Sequence, residues 1–342
     1  MSKAIESKTP PITIIIVSFN NIRTIQKCVD TISTQDYPKE KIELLNIDGG
    51  STDQTVHILK KYGFRLIQSH ISNNAEAQRA IGLKNAKNNL IVSIDADNYL
   101  PHDHWLQQMV QPFIDDPDVV HSGTLHFHYD KKDTIYNRYC ALFGVLDPVV
   151  FYIGRPDRNA YYDRIPKYGR IVKETSNYFI LKFTKETLTT VGCNGIAYRK
   201  DVLLKYANSS ERDFLHIDVF ADLIDHGFNI FAVVKTDVAH DTAVSIPQLI
   251  KKRIAFLNKY FLKSNVQSPQ RRYFIYNPRS LRDRVNLFLF VLYTITLIKP
   301  LFDSIKVYVR KHDPASFLHP LMCWVFLYSY AKASVDNLLN RK

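Results

Sequence analysis

Four short apolar runs set in a rhythm with helical segments constrain the first hundred residues more than any other feature. Ile12–Val17, Ile42–Ile47, Phe64–Ile67 and Leu90–Ile94 hold four to six residues each, mostly β-branched or otherwise apolar. That is the length and composition of strands rather than helices. The segments near 21–34, 53–62 and 75–87 carry apolar residues at helical spacing, with Asn20 or Asn21 and Thr52 or Asp53 placed as N-caps. Strands alternating with such helices predict an α/β fold, a mostly parallel sheet covered on both faces. Ligands of such sheets bind beyond the carboxyl ends of the strands. Asn20, Asp48 and the pair Asp95 and Asp97 all follow a strand directly, so they are expected to converge on one edge.

The pair has its own chemistry. Side chains at i and i+2 of an extended chain lie on one side, so Asp95 and Asp97 can face the same cavity. Two carboxylates so placed suit Mg²⁺ or a similar hard cation that shares its coordination with water and a substrate phosphate. Asp48 stands before Gly49-Gly50, where the chain can turn sharply. Its carboxylate either accepts from a flat ligand or serves as a turn former, because Asp-Gly is a common turn dipeptide.

Several segments together resemble the inverting glycosyltransferases of family 2, which have the GT-A fold, over about residues 11 to 241. Ile14 to Asn20 is similar to the opening strand and its Ser-Phe-Asn turn, and Asn46 to Asp53 to the Asp-Gly-Gly-Ser-Thr-Asp loop. Asp95-Ala96-Asp97 matches the Asp-x-Asp motif, and Gly192 to Lys200 resembles the acceptor-side glycine segment. The resemblance implies a nucleotide diphosphate sugar, with uridine diphosphate the expected carrier, bordered by Ser18, Asn20, Asp48, Arg79, Asp95, Asn194 and Gly195. It implies Mn²⁺ or Mg²⁺ held by Asp97, with His240 at the end of the run Phe231 to Ala239 also facing it; a structural role for this histidine stays open. Arg79 resembles the basic residue of an Ala-Arg-Asn segment, although Ala80 replaces the following Asn, and a solvated helix face is its other reading. Asp218 is the candidate general base and Asp222, one turn later, the runner-up. The family's preceding Glu is Ile217 here, and a helix N-terminus favours a carboxylate without any catalytic role.

Each part answers a chemical need. A cation neutralises charge that grows on a departing diphosphate, and a positioned base that takes the acceptor proton contributes roughly 10²–10⁴-fold. A base opposite the leaving group turns an α-linked donor into a β-linked product. Two other classes remain beside this one. A nucleotidyltransferase shares the sheet and paired aspartates but needs a lysine-containing phosphate loop, which does not follow the first strand; a silent glycan- or lipid-binding scaffold needs neither metal nor base.

Charge divides the chain. Residues 1–240 carry 28 Lys and Arg against 28 Asp and Glu, whereas 241–342 carry 17 against 5. The expected organisation is therefore an N-terminal tail at 1–10, a catalytic domain at 11–241 with nucleotide-binding (11–100) and acceptor-side (101–241) halves, and a basic, apolar helical appendage at 242–342. In that appendage Lys251-Lys252-Arg253, Arg271-Arg272, Arg279, Arg282 and Arg284 border the apolar run Val285 to Ile298, and a second run extends from Ala315 to Ala331. Basic clusters beside apolar helices suit an anionic membrane surface. Lys299-Pro300 and His319-Pro320 interrupt the runs, which favours helices lying in the interface or partly inserted as a hairpin over spanning ones; packing on the catalytic domain is the other reading. Nucleic acid is not an expected partner, since no binding motif accompanies the basic residues.

The N-terminus to Pro11 lacks an apolar leader, and Cys28, Cys140, Cys193 and Cys323 form no paired motif. Both features predict reduced thiols at the cytoplasmic membrane face. The tyrosine-rich stretch from His121 to Thr190 suits an acceptor surface that takes a lipid-linked or polysaccharide glycan. His126 and His128 share a strand face there with no further ligand nearby, which disfavours zinc.

Overall fold

The computed structural model describes residues 9–190, 194–241, 245–259, 272–273 and 275–339. Gly192, Cys193, Arg271 and the first eight residues lie outside this set. Within it the four apolar runs form β1 (Ile12–Ser18), β2 (Ile42–Asp48), β3 (Arg65–Gln68) and β4 (Leu90–Asp95), separated by helices Ile25–Ser33, Thr55–Lys61 and Ala75–Asn85. β1 is buried at every position. Each isoleucine or valine taken fully from water in this way stabilises the fold by about 1.5–3 kcal/mol.

The strands β1 to β4 pair in parallel with Ser18 opposite Asp48, Val17 opposite Asp95 and Asp48 opposite Gln68. Register alone therefore sets Ser18, Asp48 and Asp95 side by side at the carboxyl edge. β5 (Asn98–Tyr99), β6 (His121–Phe127), β7 (Arg170–Glu174), β8 (Tyr178–Lys182), β9 (Ile196–Arg199) and β10 (Ile230–His240) complete a mixed sheet of ten strands. Its order is β3-β2-β1-β4-β9-β6-β10-β8-β7, with β5 pairing β10 to one side. β9 runs antiparallel to β4, and β10 antiparallel to β5 and β8.

The expected cap of the first helix is corrected by the structure, while at the second Asp53 Oδ1 accepts from Thr55 N at 3.0 Å, one residue ahead of the assigned N-cap. Thr24 and Gln54 occupy the two N-cap positions, and neither uses its side chain there. Asn20 and Asn21 are spent on the loops instead: Asn20 Oδ1 accepts from Thr52 N at 2.8 Å and Asn21 Oδ1 from Phe19 N at 2.8 Å. Short polar side chains hydrogen-bond nearby backbone wherever it is exposed, and a crowded sheet edge offers more of it than one helix start. Asn74 does cap the third helix, accepting from Ala77 N at 3.3 Å.

The chain divides into two compact units, one holding the residues up to His126 with Gly169–Asp241, the other Phe127–Tyr168 with the described residues after Asp241. The first contains the sheet and its main core. The second is built of the helices Ile135–Phe143, Pro148–Tyr152, Ile246–Leu257, Leu281–Thr296, Ile298–Lys311 and His319–Leu339. Its interior is unusually polar. His319 is fully buried; Tyr139 Oη stands 3.1 Å from its Nδ1 and Tyr152 Oη 3.0 Å from its Nε2, and Tyr152 donates to Asp303 at 3.1 Å. Burial, with Lys299 adding to it, lowers this imidazole to about 3, so it stays neutral. A second, half-buried knot joins Arg253, Asp147 and Tyr330.

Among the described residues no single helix is long and apolar enough to cross a membrane. Leu281–Thr296 and Ile298–Lys311 meet the composition only together, and they are bent by 84° at Leu297, whose φ is +60°.

Candidate active site

The loop after β2 is shaped by its own acid. Asp48 is buried, and its Oδ1 accepts from the hydroxyls of Ser18 at 2.9 Å and Ser51 at 2.6 Å. Oδ2 accepts from the backbone N–H groups of Gly50 and Ser51, both at 2.8 Å. Each carboxylate oxygen has two acceptor positions, so all four are filled within the chain. Of its two sequence readings, the arrangement corresponds to the turn former, and Gly50 at φ +96° supplies the left-handed residue that the turn requires. Ser18 is interior too, accepting from Asn46 Nδ2 at 3.0 Å. Asn20 lies exposed at φ +53°, a conformation Asn tolerates, and its N–H donates to Ser51 Oγ at 2.9 Å. Ser18, Asn20 and Asp48 thus fix the rim as one piece.

Beyond β4 the chain turns tightly from Asp95 to Asn98, and the buried Asn98 side chain accepts from Asp95 N at 2.9 Å. β5 then pairs with the end of β10, setting Asn98 opposite His240. This ladder delivers the imidazole to the acidic turn: His240 Nε2 lies 3.4 Å from Asp97 Oδ1. Asn194 Nδ2 lies 3.2 Å from His240 Nδ1 and orients the ring. Gly195 beside it has φ +66°, and a Cβ there would stand 2.9 Å from Val238 Cγ2. The site therefore needs glycine for both conformation and space.

Asp95, Asp97 and His240 offer ligand atoms that all lie within 4.8 Å of one another, each group partly accessible. Two carboxylates and one imidazole are a donor set that fits Mn²⁺, and Mg²⁺ with more water in its shell. A second residue that fixes the histidine ring, here Asn194, is the usual support of such a ligand.

Arg79 corrects one of its two sequence readings. It does not lie on a solvated face: it is 6% exposed, with Nη2 at 2.5 Å from Asp95 Oδ1 and Nη1 at 2.9 Å from Glu76 Oε1. Glu76 accepts in turn from His216, whose Nδ1 lies 2.9 Å from Oε1 and whose backbone N lies 3.0 Å from Oε2. Burial would raise the Glu76 carboxyl, but His216 and Arg79 together hold it down to about 2, so it is ionised. Sequence reasoning missed Glu76 and His216. Glu76 precedes Arg79 by three residues on one helix, a spacing at which side chains meet, and that was the available signal. It also missed Gln78, whose buried amide donates to the carbonyls of Ser18 and Ile47 at 2.9 and 2.7 Å and ties β1 to β2.

The helix His216–Asp225 carries the two base candidates. Asp218 is 0% exposed, while the His216 side chain in the same helical turn is 20% exposed. Asp222 Oδ2 accepts from Asn208 N at 3.0 Å and holds a loop.

The family model for Glycosyl transferase family 2 matches residues 13–206. Glycosyltransferase AglE of Haloferax volcanii is 28% identical over 138 residues, which are 39% of this chain and 45% of the relative. A Methanococcus voltae protein named dolichyl N-acetyl-alpha-D-glucosaminyl phosphate 3-beta-D-2,3-diacetamido-2,3-dideoxy-beta-D-glucuronosyltransferase is 33% identical over 108 residues, 30% of this chain and 33% of the relative. The chain thus spans less than half the length of these two curated relatives. In fold it is similar to the mannosyltransferase PcManGT from Pyrobaculum calidifontis, solved in complex with GDP-Man and Mn²⁺. The TM-score is 0.54 at 16% identity, over 97% of this chain and 88% of that one.

Proposed function

The chain belongs to glycosyl transferase family 2, and on that premise we propose that it moves a sugar, with inversion, from a nucleotide diphosphate sugar to a hydroxyl of a lipid-linked or polysaccharide glycan. The observation that carries the reading is the acidic turn, with Asp95, Asp97 and His240 gathered at the carboxyl edge of the sheet. Uridine is the proposed nucleotide, by the family resemblance of the loops at Ser18 to Asn20 and at Asp48. Asp97 and His240 would hold a divalent cation with Asp95 beside them, and when bound it would neutralise the charge of the departing diphosphate. Arg79 holds Asp95 in position through its guanidinium. The prefixed rim and this anchored carboxylate cost no reorganisation when the donor reacts, which is where such sites gain most of their rate.

Turnover tests this directly. UDP-glucose, UDP-N-acetylglucosamine, UDP-glucuronate and GDP-mannose, each with Mn²⁺ or Mg²⁺, are offered with polyprenyl phosphates or oligosaccharides, and nucleotide release is measured. The expected result is cation-dependent release from at least one donor, stimulated by one acceptor class. No release from any pair would sink the transferase reading.

The acceptor and the location are supported by the second unit. Leu281, Val285, Phe288, Leu292 and Ile295 are all exposed along one helix face, as are Ile298, Leu301, Phe302, Ile305 and Val309 along the next. The same helices bury Asp283, Thr294, Asp303 and Ser304. A polar interior beneath an apolar exterior is the reverse of an ordinary soluble bundle. Arg282, Arg284, Lys306, Arg310 and Lys311 border the apolar stripes, which is the composition of a surface resting on anionic lipid. The proposed working position is the cytoplasmic face of a membrane, with these helices lying in the interface. Full-length protein is expected to float with vesicles containing phosphatidylglycerol. Phe288→Asp combined with Ile305→Asp should lower that partition by about tenfold or more, since each side chain buries roughly 1.5–3 kcal/mol of apolar surface. Equal flotation of the double variant would reject these stripes as the contact.

A further inference from the structure

We propose that the helix His319–Leu339 is a pairing surface for a second copy of this chain, the two helices lying antiparallel about a twofold axis. Its inner side packs on the helices Ile246–Leu257, Leu281–Thr296 and Ile298–Lys311 and buries Met322, Cys323, Val325 and Phe326. Its outer side is not the polar face of an ordinary surface helix. Leu321, Trp324, Tyr328, Ala331, Val335 and Leu338 are exposed there, separated by steps of three, four, three, four and three residues. That alternation is the heptad spacing, which keeps a narrow apolar line facing one partner helix along its length.

Charge separates this line from the stripes on Leu281–Thr296 and Ile298–Lys311. Those stripes are bordered by Arg282, Arg284, Lys306, Arg310 and Lys311. Here Lys332 and Asp336, the only Lys, Arg, Asp or Glu of the helix, lie 3.3 Å apart and cancel. A neutral helix offers an anionic surface no electrostatic attraction, whereas it meets its own copy without repulsion.

Size fixes the direction. Turned end to end about the midpoint between Ser329 and Tyr330, the line meets its copy with Leu321 opposite Leu338, Trp324 opposite Val335 and Tyr328 opposite Ala331. Each aromatic ring then faces a smaller side chain, the alternation that lets facing layers interdigitate. In a parallel pair every residue would face itself, so two Trp324 rings would crowd one another while two Ala331 methyls left a gap. The five larger side chains of the line are between 43% (Trp324) and 65% (Leu338) exposed. They present on the order of 500 Å² per copy, so pairing would remove about 1,000 Å² from water, the size at which a specific contact separates from chance packing.

Two measurements on the full chain test the assignment. Sedimentation equilibrium in the micromolar range should show monomer and dimer, and Trp324→Ser combined with Tyr328→Ser should weaken the dimer by about tenfold or more, because buried aromatic rings carry most of such contacts. Both side chains are exposed in the monomer, so the double variant should keep the wild-type melting midpoint and still float with vesicles. Under mild oxidation, Leu321→Cys mixed with Leu338→Cys should give a disulfide-joined dimer, and Leu338→Cys alone should not. Wild-type protein that stays monomeric, or a double variant that dimerises as wild type does, would overturn the proposal. Cross-linking of Leu338→Cys to itself, with none in the mixture, would overturn the antiparallel arrangement. A double variant that loses flotation and dimerises normally would assign the line to lipid instead.

Discussion

Replacing Asp97 with Asn is expected to lower cation-stimulated sugar transfer by roughly 10²–10³-fold, the scale on which removing one charge-stabilising group acts, while the protein stays folded. The two halves of this result come from different parts of the residue. Its backbone carbonyl accepts from Asp241 N at 2.9 Å and joins the turn to the end of β10, which Asn retains. Its side chain is 23% exposed and lies 3.4 Å from His240 Nε2, so the amide leaves no deeply buried charge behind. What the substitution removes is the negative charge beside His240 with which the proposed site would hold a cation. Thermal unfolding and titration of Mn²⁺ in the presence of UDP would separate the effects. An unchanged melting midpoint with weakened Mn²⁺ binding and slow transfer is the expected set. A variant within threefold of wild-type turnover would remove Asp97 from the metal site.

Arg79→Ala is expected to act mainly on stability. Its guanidinium joins two carboxylates inside the protein, and removing one partner of a buried ion pair typically costs about 3–5 kcal/mol because the remaining charge loses its compensation. Glu76 has a side chain only 5% exposed and retains just His216, while Asp95 is 24% exposed and partly rescued by water. For a chain of this size, a loss of that order lowers the melting midpoint by on the order of 6–15 °C. Arg79→Lys should fall between, because an ammonium lacks the planar fork that reaches both carboxylates at once. Urea titration of the three proteins checks the order. A loss below about 1 kcal/mol in Arg79→Ala would mean that water replaces the guanidinium and that the network carries little.

The strands and the edge on which the acids gather were legible because they depend on local pattern. Runs such as Ile12 to Val17 have one plausible conformation, and parallel register then places Ser18, Asp48 and Asp95 together without further information. Partners were harder to read than places. Asp48 was correctly placed at a strand end, yet whether its oxygens face outward or are filled by Ser18, Gly50 and Ser51 depends on the turn's geometry. Arg79 reads as an ordinary helix residue until Asp95 and Glu76 are seen on either side of it. The bond between Glu76 and His216 spans 140 residues, and that between Tyr139 and His319 spans 180. The latter belongs to the unit that groups Phe127–Tyr168 with the C-terminal helices, and no periodicity in the tyrosine-rich stretch announces it.

The pairing of β5 with β10 bears on how this protein is made. Both aspartates leave the ribosome long before the histidine that joins them, and β10 must enter between β6 and β8 to bring it there. Inserting an interior strand last is a non-local event, slow relative to the local helices and turns. A nascent chain therefore carries Asp95 and Asp97 at a nearly finished strand edge before His240 exists, and the three side chains come within reach of one another only when the sheet closes.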